Sequence, residues 1–157
     1  MLDIESIRSA IVRNLKATTG IQTIIAEQSS NQPDYPFIAV KMTLLGQKVG
    51  GSAQYMDGLE QVTEQDIEMV MSVSSYSDDM DESINNSYKA LQFFEVDGVE
   101  LLQDHNIAVV QTTDITNRDT FISIEYERRT GFDVRIRTRA QVTKEIEVIE
   151  TVELKEG

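Results

Sequence analysis

The first apolar residues of the chain fall at helical spacing. Ile4, Ile7, Ile11 and Leu15 lie three and four apart, so a helix over Leu2 to Thr19 gathers them on one face. Asp3 can cap its start and Gly20 can end it. Ile21 to Ser30 suits either a short turn or the start of a strand, and Ser29 to Asp34 is polar enough for a loop. Pro36 then pushes Tyr35 toward extended geometry ahead of a β-rich run, Phe37 to Leu45. From Gln65 to Tyr76, Ile67, Met69, Met71 and Val73 alternate with Asp66, Glu68, Val70 and Ser72, which predicts a half-buried strand. Ser77, Asp78 and Asp79 offer caps for a second helix, with Ile84, Tyr88, Leu91 and Phe94 as its apolar stripe.

Between the first two strands, Gly46 to Thr63 contains four of the eight glycines and little periodicity. It reads as a long loop, of a length usually reserved for function or ordered by a partner. Further on, Asp97-Gly98 signals a turn, Val99 to Leu102 a short helical turn, and Asp104-His105-Asn106 a break. Ile107 to Thr113 and Thr120 to Glu127 read as strands. Gly131 reads as a bulge or turn before the run resumes over Phe132 to Arg139, and Glu145 to Leu154 alternates as a last strand. Helix, two strands, helix, then three or four strands predicts an α+β fold. Its sheet is mostly antiparallel with about five strands, and two main helices pack on one face. One domain spans 1–157, with 46–63 as the long loop and 144–157 as a C-terminal strand and tail.

Composition narrows the chemistry. The 157 residues include no cysteine and one histidine, His105. Thiol catalysis, disulfides and multi-imidazole metal sites are therefore excluded. Fourteen basic against 27 acidic residues give a net charge of −13, which argues against a nucleic-acid binder overall. No apolar run approaches the roughly 18 residues of a membrane span. Asp3, Glu5, Arg8 and Arg13 sit where a signal peptide would be apolar, so the expectation is a soluble protein with no membrane partner.

Candidate sites are few. The acids Asp78, Asp79, Asp81 and Glu82 lack the alternation and central glycine of a calcium loop and fit a helix start. His105 lies in a turn, where a lone histidine is usually a surface residue. Gly50-Gly51-Ser52 is not followed by the lysine and helix of a phosphate loop. No catalytic, metal or cofactor-binding residue is expected, and the protein is not expected to be an enzyme.

The charges themselves are segregated. Residues 128–144 carry Arg128, Arg129, Arg135, Arg137, Arg139 and Lys144 against Asp133 alone, a net of +5, leaving −18 elsewhere. On a strand, Arg135, Arg137 and Arg139 share one face while Phe132, Val134 and Ile136 take the other. Two readings stay open: a solvated face paired with Glu145 and Glu147 on a following strand, or a basic stripe meeting an acidic neighbouring copy.

Tyr126 to Arg137, reading Tyr-Glu-Arg-Arg-Thr-Gly-Phe-Asp-Val-Arg-Ile-Arg, resembles the Glu-Arg-Arg-aromatic-Gly-Phe-Asp-Val-Arg signature of the bacteriophage neck or tail-terminator family. Thr130 stands where that signature has an aromatic. Pro33 to Ile38 is similar to the family's Pro-Tyr-Pro-Phe-Ile lead-in to the first strand. The resemblance implies a structural virion protein forming a ring, usually six-fold, at the head-proximal end of the tail and assembled in the host cytoplasm. Such a ring ends the tail tube, meets the tail tube protein and the head-side connector or neck proteins, and leaves a channel through which DNA passes without specific binding. The expected inter-subunit residues are Arg128, Arg129, Arg135, Arg137, Arg139, Gly50, Gly51 and Tyr55, with Gly131 and Pro36 as structural turns. Two other classes fit the acidity. A DNA mimic needs carboxylates in rows at phosphate-like spacing, and a carboxylate metal hydrolase needs three or four acids converging on one point.

Overall fold

Helix α1 (Ile4–Thr19) is closed at both ends by the residues its sequence offers. The Asp3 carboxylate accepts from Ser6 N at 3.2 Å and from Ser6 Oγ at 2.8 Å, and Gly20 at φ 74° donates its N–H to the Lys16 carbonyl. Ile7, Ala10, Ile11 and Leu15 are its buried side. In this computed structural model, which describes residues 2–26, 31–120 and 127–146, the helix packs over a sheet built from β1 (Gln22–Ile25), β2 (Phe37–Asp57), β3 (Glu60–Ser77), β4 (Ile107–Thr112), β5 (Thr116–Asn117) and β6 (Arg128–Glu145). The sheet order is β1-β2-β3-β6-β4, with β5 also on β6. Among the described residues only the β1–β2 pair is parallel. Between β3 and β4 come α2 (Met80–Gln92), a π-turn at Phe93–Asp97, and α3 (Val99–Gln103). The α+β expectation holds.

Four local expectations change. Residues 46–63 are not a loop: β2 continues to Asp57 and β3 begins at Glu60, so only Gly58 and Leu59 turn, with Gly58 at φ 66°. The pairing slips between Met42 and Leu44, Leu44 and Gln47, and Val49 and Ala53, and these irregularities absorb the glycines that made the segment look unstructured. Gly131 is not a turn. It lies inside unbroken β6 opposite Ser74, and the positive-φ glycines are Gly20, Gly50 and Gly58. A β-carbon there would collide with the Val73 carbonyl oxygen, stand 3.0 Å from Ser74 Cα and 3.1 Å from Arg118 Nη1. Glycine is required by close approach rather than by backbone angle. Glu145 ends β6 instead of opening a new strand; 147–157 and the middle of the expected strand at 120–127 lie outside the described residues. Pro36 stands at the bend before β2, after a cis Tyr35–Pro36 bond.

The fourth change concerns α2. Its buried side is Ser83, Asn86, Ser87 and Ala90, while Tyr88 of the expected stripe is exposed. Small side chains let the helix approach the sheet closely, and hydroxyls satisfy one another there. Ser83 Oγ donates to the Ser75 carbonyl at 2.9 Å, and the Thr130 hydroxyl lies 3.0 Å from Ser83 Oγ and 2.6 Å from Ser87 Oγ. Larger apolar groups follow in the π-turn, where the Gly98 N–H reaches back to the Phe93 carbonyl. Phe93 and Phe94 are both fully buried, edge to face at 5.1 Å, and Phe94 meets Phe132 at 6.0 Å. With Ile38, Val40, Met69, Met71, Val134 and Ile136 they form the core between helices and sheet.

Candidate functional interface

Beyond the helices, β2, β3 and β6 continue together as a three-stranded arm. The stretch Leu45 to Asp57 alone extends on the order of 40 Å. Every residue from Gly50 to Glu60 is exposed. Leu45, Tyr55, Met56, Leu59 and Val142 expose 44–70% of their surface, a concentration of apolar groups left uncovered among the described residues. Gly50, Gly51 and Tyr55 sit on this arm.

The arginines have partners within the chain. Opposite the basic row, β3 places Glu64, Asp66 and Glu68 on the same face. Glu68 receives Arg137 Nη2 at 2.6 Å and Nε at 2.9 Å on one oxygen and Arg135 Nη1 at 3.2 Å on the other. Arg139 Nε reaches Asp66 at 3.0 Å, with Glu64 at 3.9 Å. The bond from Arg137 holds the Glu68 carboxyl below its usual range, against the burial that would raise it. The ladder is thus self-neutralised, and its acids belong to β3. The alternative pairing with Glu145 and Glu147 is not formed by Glu145, which lies on the same strand as the arginines, and Glu147 lies outside the described residues. A row of carboxylates does exist, but arginines cover it, which is the wrong surface for a phosphate mimic. Among the described residues no group of three or more histidines or acids is placed to hold a metal, and no helix is long and apolar enough to cross a membrane.

Arg129 and Arg128 lie at the other end of β6. The Arg129 guanidinium donates to Glu127 at 2.7 Å and lies 4.7 Å over the Tyr76 ring, which stacks on Phe37 at 4.6 Å. Tyr35 Oη donates to the other Glu127 oxygen at 3.0 Å. The two family-like segments, Pro33 to Ile38 and Tyr126 to Arg137, therefore meet across the sheet at Tyr35, Glu127 and Arg129. No local pattern in the sequence announced this contact. The open sheet face carries a second clasp that sequence reading missed: Arg118 donates to Ser72 Oγ at 2.5 Å, Ser74 Oγ at 3.1 Å and Asp133 at 3.1 Å.

The family model described as phage neck terminator protein matches residues 4–157. No curated protein sequence matches the chain. Among solved structures, one known only by a serial designation is 14% identical over 88% of this chain and 96% of its own, with a TM-score of 0.44. A chain from the virion of a native gene transfer agent particle is 13% identical over 85% and 94%, with a TM-score of 0.38.

Proposed function

The chain belongs to the phage neck terminator family, and on that premise we propose that it assembles into a ring that ends the tail tube and joins it to the head-side connector. The observation that carries this reading is the arm, whose Leu45, Tyr55, Met56, Leu59 and Val142 are exposed with no cover among the described residues. Subunits meet through the arm, at Gly50, Gly51, Tyr55 and Arg139. Arg128, Arg129, Arg135 and Arg137, held by ion pairs, hydrogen bonds and ring contacts within the chain, stiffen the sheet that carries the arm. The net charge of −13 suits a channel wall from which a duplex is repelled and along which it slides. Its partners are other copies, the tail tube protein and neck proteins, and its work is mechanical rather than catalytic.

Electron microscopy of particles assembled with and without the chain tests this. The expected result is a ring density at the head-proximal end of normal tails, and tubes of uncontrolled length or tails without heads when the chain is missing. Normal, head-joined tails in its absence would overturn the assignment.

A further inference from the structure

The core of the sheet is edged by β1 and β4, whereas among the described residues the arm is edged by β2 and β6 themselves. At the base, β1 pairs with β2 only over Phe37 to Val40, and β4 pairs with β6 only up to Thr138. Past these points β2 is edged on one side of the arm and β6 on the other. Backbone direction along β6 follows from its neighbours. The carbonyls of Asp133 and Arg139 accept from Thr113 N and Asn106 Nδ2, both on the β4 side, while Ile146 N donates to the Leu59 carbonyl on the β3 side. Odd-numbered residues of β6 therefore turn their N–H and C=O away from β3, and alternation carries this to Thr143. By the same alternation Thr143 opposes Val62 and Tyr55 in the ladder, so Tyr55 faces inward, and Gln54 and Met56 turn their backbone groups outward on the β2 edge.

Asn106, at φ 62°, closes the first position of the β6 edge by donating to the Arg139 carbonyl at 2.9 Å. Beyond it the edge is free of bulges, since the β3–β6 register is unbroken from Glu60–Glu145 to Ser77–Arg128. Next to the tip, the β2 edge also regains regular register over Ala53 to Asp57. Regular edges flanked by exposed Val142 and Met56 are templates for another strand.

We propose that copies of this chain join by strand addition, the β6 edge around Thr143 of one arm pairing with the β2 edge around Gln54 to Met56 of the next. The inference rests on the reading that the chain self-assembles and specifies how. β2 and β6 both run antiparallel to β3, hence parallel to each other, so between copies that keep the same strand direction the new ladder is parallel, and the two joined edges differ. Such a head-to-tail contact closes into a ring or propagates, and cannot stop at a symmetric dimer. Charge pairing is not the driver, because the arginine ladder is already satisfied within the chain.

Proline at one position on each edge tests this, because it removes an outward N–H while sparing the β3 ladder. Thr143→Pro and Met56→Pro are each expected to hold the chain as a monomer by analytical ultracentrifugation, with monomer unfolding little changed. Mixed together they should form a 1:1 dimer and nothing larger, since each supplies the edge the other has lost. Val142→Pro, whose N–H points into the ladder, should instead loosen the arm itself. Assembly of both edge variants at wild-type levels, or a mixture that stays monomeric, overturns strand addition while leaving the tail-end role to microscopy. A wild-type chain that never associates overturns it as well, and a ring seen at the tail end would then have to be held by other proteins.

Discussion

Arg118 occupies the space that a side chain at residue 131 would need: its Nη1 lies 3.1 Å from where a β-carbon on Gly131 would stand. Below that point the Val73 carbonyl and Ser74 Cα close the site from the neighbouring strand. Gly131→Ala is therefore expected to cost about 1–3 kcal/mol, the usual range for forcing an extra carbon into a packed site. Denaturant unfolding checks it. Adding Arg118→Ala should not restore stability, because the collision with backbone remains; full rescue would show that the arginine alone demands glycine.

Glu68 makes folding sensitive to acid. Its carboxyl is held below its usual range by Arg137 and Arg135, so it binds a proton less readily folded than unfolded. The stability this supplies is complete above the unfolded carboxylate pKa and is lost as pH falls through the lowered folded value. Thermal unfolding of wild type should decline through that acidic window, whereas Glu68→Gln starts less stable and declines less. Parallel curves for the two proteins would remove Glu68 from the acid response.

The arginines should not be equivalent. Arg139 is 55% exposed at its side chain, and solvent screens its pairing, so removing it should leave unfolding little changed. Arg135 and Arg137 share one carboxylate that is itself buried. Reversing both to glutamate sets three carboxylates together, so monomer unfolding should fall along with assembly. A double reversal that abolishes assembly while leaving unfolding unmoved would return these two residues to the subunit interface.

Features governed by near neighbours were legible in the sequence. Asp3 and Gly20 end α1 because their partners, Ser6 and Lys16, lie within a turn, and the Phe132, Val134, Ile136 alternation follows from strand geometry alone. The partner of Arg137 was not legible, since Glu68 is 69 positions away and only register brings them together. The arm was hidden for a related reason. Its glycines signal a loop locally, yet they fall at the slips in the β2–β3 register and at the tip, and the regular pairing on either side of them keeps the arm extended. On α2 the most buried positions carry hydroxyls, so an apolar count places the stripe slightly off centre: Leu91 and Phe94 pack on the core while Tyr88 is exposed.

Thr130 ties that polar face of α2 to the sheet. Its hydroxyl donates to the Ser83 carbonyl at 2.9 Å and lies within hydrogen-bond distance of Ser83 and Ser87 Oγ, all buried. Thr130→Val keeps the shape and deletes the oxygen, leaving buried hydroxyls short of a partner at about 1–3 kcal/mol. Because Ser83 Oγ also donates to the Ser75 carbonyl, Ser87 bears most of the loss. Thr130→Val with Ser87→Ala should then recover part of the stability, since an absent hydroxyl needs no partner. Additive losses in a double-mutant cycle, measured by urea unfolding, would show that the two hydroxyls act independently and that α2 is held by its apolar contacts alone.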